Sequence, residues 1–416
     1  MTLEERADLV LAVAKVLFVN GQSTEQTLAA AERLGGALGV RARILPRWGE
    51  LQLQIEDSDD SVISAVAADP TNVAMGRVAS AMRVIEDLSA GQIASESATE
   101  AIRTISQAPP APTWQFTFAA AVGAAALAVI FGVQHLTAAF LIFVSAGAGA
   151  VLRRGLAHFS ANIFLQPFCG SLLAGVIGAA AVRCQLSSSL RLIAVCPCMV
   201  LVPGPPVLNG ALDLVRGRVH LGAARVIYAG LVVLAISTGL LLGLTLLGVS
   251  LPVDQVSRAV PLWQDVIAAG IAVAAYGVFF SMPLHMLAWP VGVGMLAHAL
   301  RWWLLVKLGV SAAIGALVAC LVVGLILTPV ARRFDMPFAA IGFASVVSMM
   351  PGVFLFRMAS GLVQLAEGSR TTLDLIDATI ADGTTALAII LAMSLGLIIP
   401  KMIIDHFSEK LIQAKF

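Results

Sequence analysis

Charged residues are scarce in this sequence, and their scarcity excludes several classes of protein. Only 12% of the 416 residues are charged, and 59% are hydrophobic. Soluble domains carry about 25% charged residues. The mean hydropathy of +0.91 therefore indicates that most of the chain faces lipid. A net charge of +1 argues against a polybasic surface that binds nucleic acid.

Cysteines and targeting signals are also few. The N-terminal residues Met1–Asp8 contain neither the basic nor the apolar region of a cleaved signal peptide, so we expect them to remain in the cytosol. The five cysteines lie in or beside apolar segments. Cys196 and Cys198 have the spacing of a metal pair, but no second Cys/His pair accompanies them. We interpret them as buried apolar residues and expect no cofactor.

Residues 1–108 are predicted to form a small cytosolic α/β head. Three capping-box patterns predict helix starts, at Thr2, Ser23 and Ser97. Apolar stripes predict the helix faces Leu9, Val13, Val16, Leu17 and Met75, Val78, Met82, Ile85. The alternation in Leu51–Glu56 predicts a half-buried strand, paired with Arg41–Leu45 across the turn Trp48-Gly49. A proline-rich linker, residues 109–113, follows.

Catalysis in the head is disfavoured, because it contains no histidine or cysteine to form the usual nucleophile–base pair. Its acidic residues near the sheet are Glu50, Glu56, Asp57, Asp59 and Asp60. We interpret these carboxylates as a solvated face. A regulatory or assembly role is the favoured interpretation of the head.

The rest of the chain is long enough for ten membrane spans, since a helix needs about 20 residues to cross the hydrocarbon. The predicted spans are 114–133, 136–152, 161–182, 190–212, 220–249, 262–281, 284–300, 308–330, 336–363 and 384–404. With the N-terminus inside, ten basic residues lie in inner connections: Arg153, Arg154, Arg216, Arg218, Arg225, Arg332, Arg333, Lys401, Lys410 and Lys415. Six lie in outer ones: Arg183, Arg191, Arg258, Arg301, Lys307 and Arg370. This bias places both termini in the cytoplasm.

Two of these spans are interrupted by a Pro-Gly pair, Pro203-Gly204 and Pro351-Gly352, 148 residues apart. Proline removes a backbone donor, and broken helices are tolerated in membranes mainly where they line a cavity. Arg153 and Arg301, which close the second span of each half, have the same spacing. Matching breaks in two halves are typical of inverted-repeat transporters. We predict a mainly α-helical membrane protein with a 5+5 inverted repeat, comprising residues 114–252 and 253–416, the second ending in a short cytosolic tail.

Several motifs resemble those of the threonine/serine exporter family along essentially the whole chain. In the head these are Leu17-x-x-Asn20-Gly21-x-Ser23-Thr24-Glu25-x-Thr27 and Asn72-x-x-x-x-Arg77. In the membrane they are Val202-Pro203-Gly204-x-Pro206-x-x-Asn209-Gly210-x-x-Asp213-Leu214 and Met350-Pro351-Gly352 with Arg357. The resemblance implies a bacterial inner-membrane exporter of small polar metabolites, typically threonine and serine, coupled to the proton motive force. Some relatives are linked to dicarboxylate export such as succinate, so this substrate remains an alternative.

The expected partners are therefore a small-molecule substrate, protons and the lipid bilayer, with homo-oligomerisation left open. A substrate carboxylate needs a partner at low dielectric. The residues after Pro203-Gly204 and Pro351-Gly352 are predicted to receive it on free backbone N–H groups. Asn209 and Asp213 lie on one helix face. We expect Asn209 to orient the substrate, and Asp213 to pair with its ammonium or carry the proton. The alternative is an ion pair between Asp213 and Arg216.

Other groups leave alternatives open. Arg357 is predicted to neutralise the substrate carboxylate, and the alternative is that it snorkels or braces a helix. His158, His285 and His298 are potential proton carriers, or solvated structural histidines near helix ends. An intramembrane hydrolase would need a serine or cysteine beside a histidine, or two facing aspartates. Ser145 and Ser281 lack a Gly-x-Ser-x-Gly context, and aspartates are nearly absent from the spans. A passive channel or a scaffold is the third class.

Overall fold

The computed structural model describes residues 1–58, 60–186, 190–251, 260–334, 336–367 and 372–413. Four residues named above lie outside these ranges: Asp59, Arg258, Arg370 and Lys415. The side chains of Arg191 and Lys410 are likewise not described.

The head contains four helices around a three-stranded antiparallel sheet of order β1-β2-β3. The elements are α1 Leu3–Val19, α2 Thr24–Ala37, β1 Arg41–Arg47, β2 Gly49–Glu56, β3 Ser61–Ala68, α3 Met75–Ser89 and α4 Ser95–Gln107. The capping box at Thr2 and the cap at Ser23 are confirmed. The prediction for Ser97 was wrong, because α4 begins two residues earlier and places Ser97 inside the helix. The strand β3 was not predicted, because its small residues do not alternate clearly in hydrophobicity.

The head core forms where α1 and α2 pack against the sheet. Leu51, Leu53 and Ile55 of β2 are fully buried, as the alternating pattern predicted. They share one hydrophobic cluster with Leu9 and Leu17 of α1. Leu221, from a membrane helix, belongs to the same cluster. The head is therefore packed directly onto the membrane part of the protein.

Twelve helices form the rest of the described chain. They are α5 Thr113–Ile130, α6 Leu136–Phe159, α7 Leu165–Arg183, α8 Leu190–Met199, α9 Gly204–Val215, α10 Val219–Thr245, α11 Leu262–Phe279, α12 Ala288–Leu308, α13 Ala312–Arg333, α14 Phe338–Val346, α15 Gly352–Glu367 and α16 Leu373–Gln413. Among the described residues, eight helices are long and apolar enough to span a membrane, or ten spans if each bent pair counts once. The bends are 54° between α8 and α9 and 64° between α14 and α15. Both fall at the predicted Pro-Gly pairs.

The helices α5–α10 and α11–α16 pack in corresponding ways. α5 contacts α6 as α11 contacts α12, and α7 contacts α10 as α13 contacts α16. α8 lies against α6 and α7, as α14 lies against α12 and α13. Two related halves would show such a correspondence. The 5+5 inverted repeat itself stays a prediction.

The two broken helices meet each other. A Cβ atom added to Gly204, the first residue of α9, would overlap the ring of Phe343 in α14. A Cβ atom on Gly352, the first residue of α15, would lie 3.0 Å from Cγ of Met199, the last residue of α8. Each glycine therefore permits the close approach of one break to the other half.

Candidate functional site

A cavity of about 340 Å³ lies at the first helix break. Its wall includes the unwound segment Val200–Pro203, and the head contributes Thr71–Val73. Polar side chains that face it include Arg153, Gln166 and Tyr228. A second cavity of about 530 Å³ shares Arg153 and Gln166 with it and extends to the linker. The break therefore lines a space of the size that small-molecule sites usually have.

Arg153 is the cation of this cavity. Among the described residues it has no ion-pair partner, and its buried Nε atom has no hydrogen-bond partner. Its guanidinium carbon lies 5.7 Å from the ring centre of Phe116 and 5.8 Å from that of Phe279. Arg153 is half-buried, and removing part of a charge from water without a partner is costly. An anionic group that entered the cavity would remove that cost.

The backbone at the first break has a different polarity from the one predicted from the sequence. Pro205 and Pro206 follow Gly204 and have no N–H group. The N–H of Gly204 donates to the carbonyl of Val202, and that of Val207 donates to the carbonyl of Pro203. The prediction that residues after Pro203-Gly204 receive a carboxylate was therefore wrong.

The first break offers a ligand backbone carbonyl oxygens rather than N–H groups. Within the described chain, no backbone N–H outside the regular helices donates to the carbonyls of Val200 and Leu201, which follow α8. The C-terminal end of a helix carries about half a negative charge. These carbonyls suit a cation such as an ammonium group.

Tyr276 connects the second half to this break. Its hydroxyl donates to the carbonyl of Met199 over 3.0 Å, and the residue is buried. The chain has two tyrosines, and the other, Tyr228, lines the cavity. This scarcity is the signal in the sequence that could have indicated both residues. The matched spacing of Arg153 and Arg301 could have indicated Arg153.

Asn209 and Asp213 do lie together, but at the interface between α9 and the head. Nδ2 of Asn209 donates to the carbonyl of Gly21 over 3.2 Å. Asp213 is buried and accepts a hydrogen bond from Thr24 at 2.9 Å. Neither residue lines the cavity at the first break. Their roles toward substrate and proton remain predictions.

The basic partners of Asp213 differ from the expected alternative. Its carboxylate lies 3.3 Å from Nε of Arg225 and 3.4 Å from Nη1 of Arg218. The proposed pair with Arg216 is wrong, because Arg216 is bound by Glu25 of the head and Asp405 of α16. Lys401 and Arg332 also contact Asp405. A network of buried and half-buried charges thus joins the head to four membrane helices.

The second break is closed. Met350 lines a void of about 20 Å³, which has room for roughly one water molecule. Pro351 and Gly352 are buried, and Gly352 packs against Met199. Arg357, one turn further, forms a buried ion pair with Asp382 of α16, with Nε and Oδ2 3.1 Å apart. Asp382 is therefore the partner that Arg357 would need in order to brace a helix. The predicted last span, 384–404, does not include Asp382.

The histidines differ sharply in environment. His158 and His285 are exposed, as expected for residues near helix ends. His298 is fully buried in the middle of α12, which corrects its assignment to a solvated helix end. Its Nδ1 atom lies 2.9 Å from the Asp265 carboxylate, and its Nε2 atom is hydrogen-bonded to the Ser348 hydroxyl. Ser348 lies in the 3₁₀ turn Val347–Met349, just before the second break.

Cys196 and Cys198 are buried, and Sγ of Cys198 donates to the carbonyl of Ala194. Within the described ranges, no group of three or more His, Cys, Asp or Glu side chains could hold a metal ion.

Comparison with known proteins agrees with these features. The family model described as "Putative threonine/serine exporter" matches residues 8–247, and the model "Threonine/Serine exporter, ThrE" matches residues 265–403. A "Probable threonine/serine exporter" of Mycobacterium tuberculosis (strain ATCC 25618 / H37Rv) is 25% identical over 401 residues, covering 88% of this chain and 74% of the relative. No solved structure matches the chain. With family models matching both the head with the first half and the second half, the chain belongs to the threonine/serine exporter family.

Proposed function

We propose that this protein exports threonine and serine across the inner membrane of a bacterium, driven by the proton motive force. The observation that carries the proposal is the unpaired guanidinium of Arg153 in a cavity at a broken membrane helix. Membership of the exporter family supports the direction and substrate class.

An amino acid fits the polarity of the cavity. Its carboxylate would bind Arg153, because an ionised pair at low dielectric is stronger than in water. Its ammonium group would bind the carbonyls of Val200 and Leu201. The hydroxyl of threonine or serine would then face the remaining polar side chains, Gln166 and Tyr228.

The dicarboxylate alternative fits less well. One carboxylate of succinate could bind Arg153 in the same way. The other would meet the carbonyls at the end of α8, which repel a negative charge. The chemistry of the first break therefore favours a zwitterion over a dianion.

The placement of the head supports an inward-facing state. Thr71–Val73 of the head form part of the cavity wall, and two basic residues of the predicted inner connections, Arg216 and Lys401, pair with Glu25 of the head. With the positive residues on the cytoplasmic side, the head and both termini would be cytoplasmic. Export would then require the two broken helices, which touch through Gly204 and Gly352, to move against each other.

Purified protein in proteoliposomes tests the proposal. Labelled threonine and serine should accumulate when a pH difference is imposed, and succinate should compete weakly. Arg153→Gln should raise the half-saturating concentration of threonine at least roughly 30-fold, since losing one partner of a buried charge pair costs about 2 to 5 kcal/mol.

Arg183→Gln is the matched control. Arg183 ends α7 and donates to the carbonyl of Leu247, away from the cavity. Wild-type affinity in Arg153→Gln would refute the carboxylate site. Equilibration of threonine without accumulation would refute proton coupling and favour a passive channel.

A further inference from the structure

We propose that Asp265, His298 and Ser348 form the site that binds the coupled proton. The inference rests on the proposed function, and it assigns the proton to the second helix break and the substrate to the first. The three side chains form one hydrogen-bonded chain from α11 through α12 to the 3₁₀ turn before Pro351. They are 6%, 0% and 2% exposed.

The order of the groups defines the direction of the hydrogen bonds. An ionised Asp265 carboxylate can only accept, so Nδ1 of a neutral His298 carries the hydrogen. Nε2 then accepts from the Ser348 hydroxyl. A proton that reaches His298 must bind at Nε2, where it reverses that bond and makes Ser348 the acceptor. Protonation of His298 therefore changes its hydrogen bond to Ser348, which lies just before the second break.

The surroundings can support both protonation states. The Asp265 carboxylate is hydrogen-bonded to the His298 ring and would pair with its imidazolium form. Arg301, one turn along α12, lies within electrostatic range of Asp265 and of Cys320 on α13. Without the extra proton, the charges of Asp265 and Arg301 cancel; with it, the cluster carries one positive charge. Arg301 also lies within electrostatic range of His298 itself.

The first half lacks this cluster at the corresponding positions. Subtracting the 148-residue spacing from Asp265, His298 and Ser348 gives Thr117, Ala150 and Val200, none of which titrates. A void lies there instead, lined by Ala150, Val200 and Arg153. Arg153 itself corresponds to Arg301. Both arginines have a buried Nε atom without a hydrogen-bond partner. Arg153 lies beside a cavity, whereas Arg301 lies beside the acid–histidine–serine chain.

This division suggests how the two fluxes are coupled. The substrate site is open in the observed state, while His298 has no exposed surface. The breaks touch through Gly204 and Phe343 and through Gly352 and Met199, so opening one displaces the other. Proton access to His298 would come with opening of the second break, after the substrate cavity has closed to the cytosol.

The experiment compares two assays on the same proteoliposomes. Threonine accumulation under an imposed pH difference requires coupling, whereas threonine counterflow at equal pH requires only binding and movement. His298→Gln should lose accumulation and retain counterflow near the wild-type rate. The control is His285→Gln, at an exposed histidine, which should retain both.

Each result has a defined meaning. Accumulation by His298→Gln would overturn the inference, and so would parallel loss of accumulation and counterflow, which marks a structural residue. Failure of the wild type to accumulate threonine would refute the proposed function itself. In Asp265→Asn the imidazolium loses its counter-charge, so the pH profile of accumulation should shift to lower pH while counterflow persists; an unshifted profile would count against the role of Asp265.

The same three groups occur in the order of a serine-hydrolase triad, and the hydrolase alternative is therefore part of the test. A fluorophosphonate probe labels activated serines. We expect the probe to leave Ser348 of the wild-type protein unlabelled, because its hydroxyl is buried and hydrogen-bonded to His298. Labelling that disappears in Ser348→Ala would overturn the proton-site assignment.

Discussion

The Thr24 hydroxyl in the head donates a hydrogen bond to the Asp213 carboxylate in the broken helix, over 2.9 Å. The same hydroxyl lies 3.4 Å from Nη2 of Arg225, which also contacts Asp213. Residues 189 positions apart thus share one buried polar cluster. These groups fix the head to the C-terminal half of α9, and the head forms part of the cavity wall through Thr71–Val73. Its docking and the shape of the cavity at the first break are therefore connected.

We expect Thr24→Val to loosen this docking. The substitution leaves the buried Asp213 carboxylate and Arg225 guanidinium one partner short, at a cost of about 1 to 3 kcal/mol. The midpoint of thermal unfolding in detergent should fall, and proteolysis in the linker, residues 109–113, should accelerate. Thr99→Val is the control, because Thr99 is exposed and bonds only to its own helix. Equal stability of the two variants would show that the Thr24–Asp213 contact does not hold the head.

Gly204→Ala should be damaging because α9 begins directly against Phe343. The added methyl group would overlap the ring, and overpacking of this kind costs about 1 to 3 kcal/mol. We expect a lower unfolding midpoint and slower threonine counterflow.

Gly230→Ala provides the comparison for that variant. Gly230 lies in α10, and a Cβ atom there would meet nothing within 4 Å. Its stability should be unchanged or slightly raised, since alanine favours helix over glycine by about 1 kcal/mol. Wild-type counterflow in Gly204→Ala would show that the close contact between the breaks is dispensable.

Arg357 and Asp382 should act as a structural pair. Removing Arg357 alone, as in Arg357→Met, leaves a buried carboxylate without its cation and should cost about 3 to 5 kcal/mol. The double variant Arg357→Met/Asp382→Leu should recover most of that stability, because no charge is left buried. It should also recover counterflow.

The double variant distinguishes a structural role of Arg357 from a role in binding the substrate. Recovered stability with absent counterflow would mean that Arg357 binds the substrate carboxylate, as the sequence suggested. Arg103→Met is the surface control: Arg103 forms an exposed pair with Glu100, and such pairs contribute less than about 1 kcal/mol.

The predicted spans agree well with the structure because each span needs about 20 consecutive, mainly apolar residues, and such a run is visible in the local sequence. Each predicted span overlaps a helix or a bent helix pair, and both bends lie at Pro-Gly pairs. Whether a helix break can bind an anion depends on which individual residues supply backbone N–H groups. Pro205 and Pro206 remove the N–H groups that the general rule for helix starts would supply, and this effect follows from the sequence alone.

The site residues show where a single sequence stops being informative. The sequence motif singles out Asp213 as a candidate, but its partners Thr24 and Arg225 could not be predicted, because Thr24 is distant in the sequence and Arg225 lies on the next helix. His298 was considered among three histidines, and only the packing of α11 and the 3₁₀ turn against α12 distinguishes it. Arg153 was noted for its position at a helix end, whereas its lack of a partner follows from which helices surround it.

By itself, the sequence determined that this chain spans the membrane about ten times, carries an α/β head, breaks two helices and resembles threonine/serine exporters. Those properties follow from local hydrophobicity, backbone donors and motif spacing, which neighbouring residues fix. Only the tertiary structure decided which charges are paired and which break is open. Charge pairing and cavities depend on the helices that lie side by side, and that arrangement is set by packing between segments far apart in the chain.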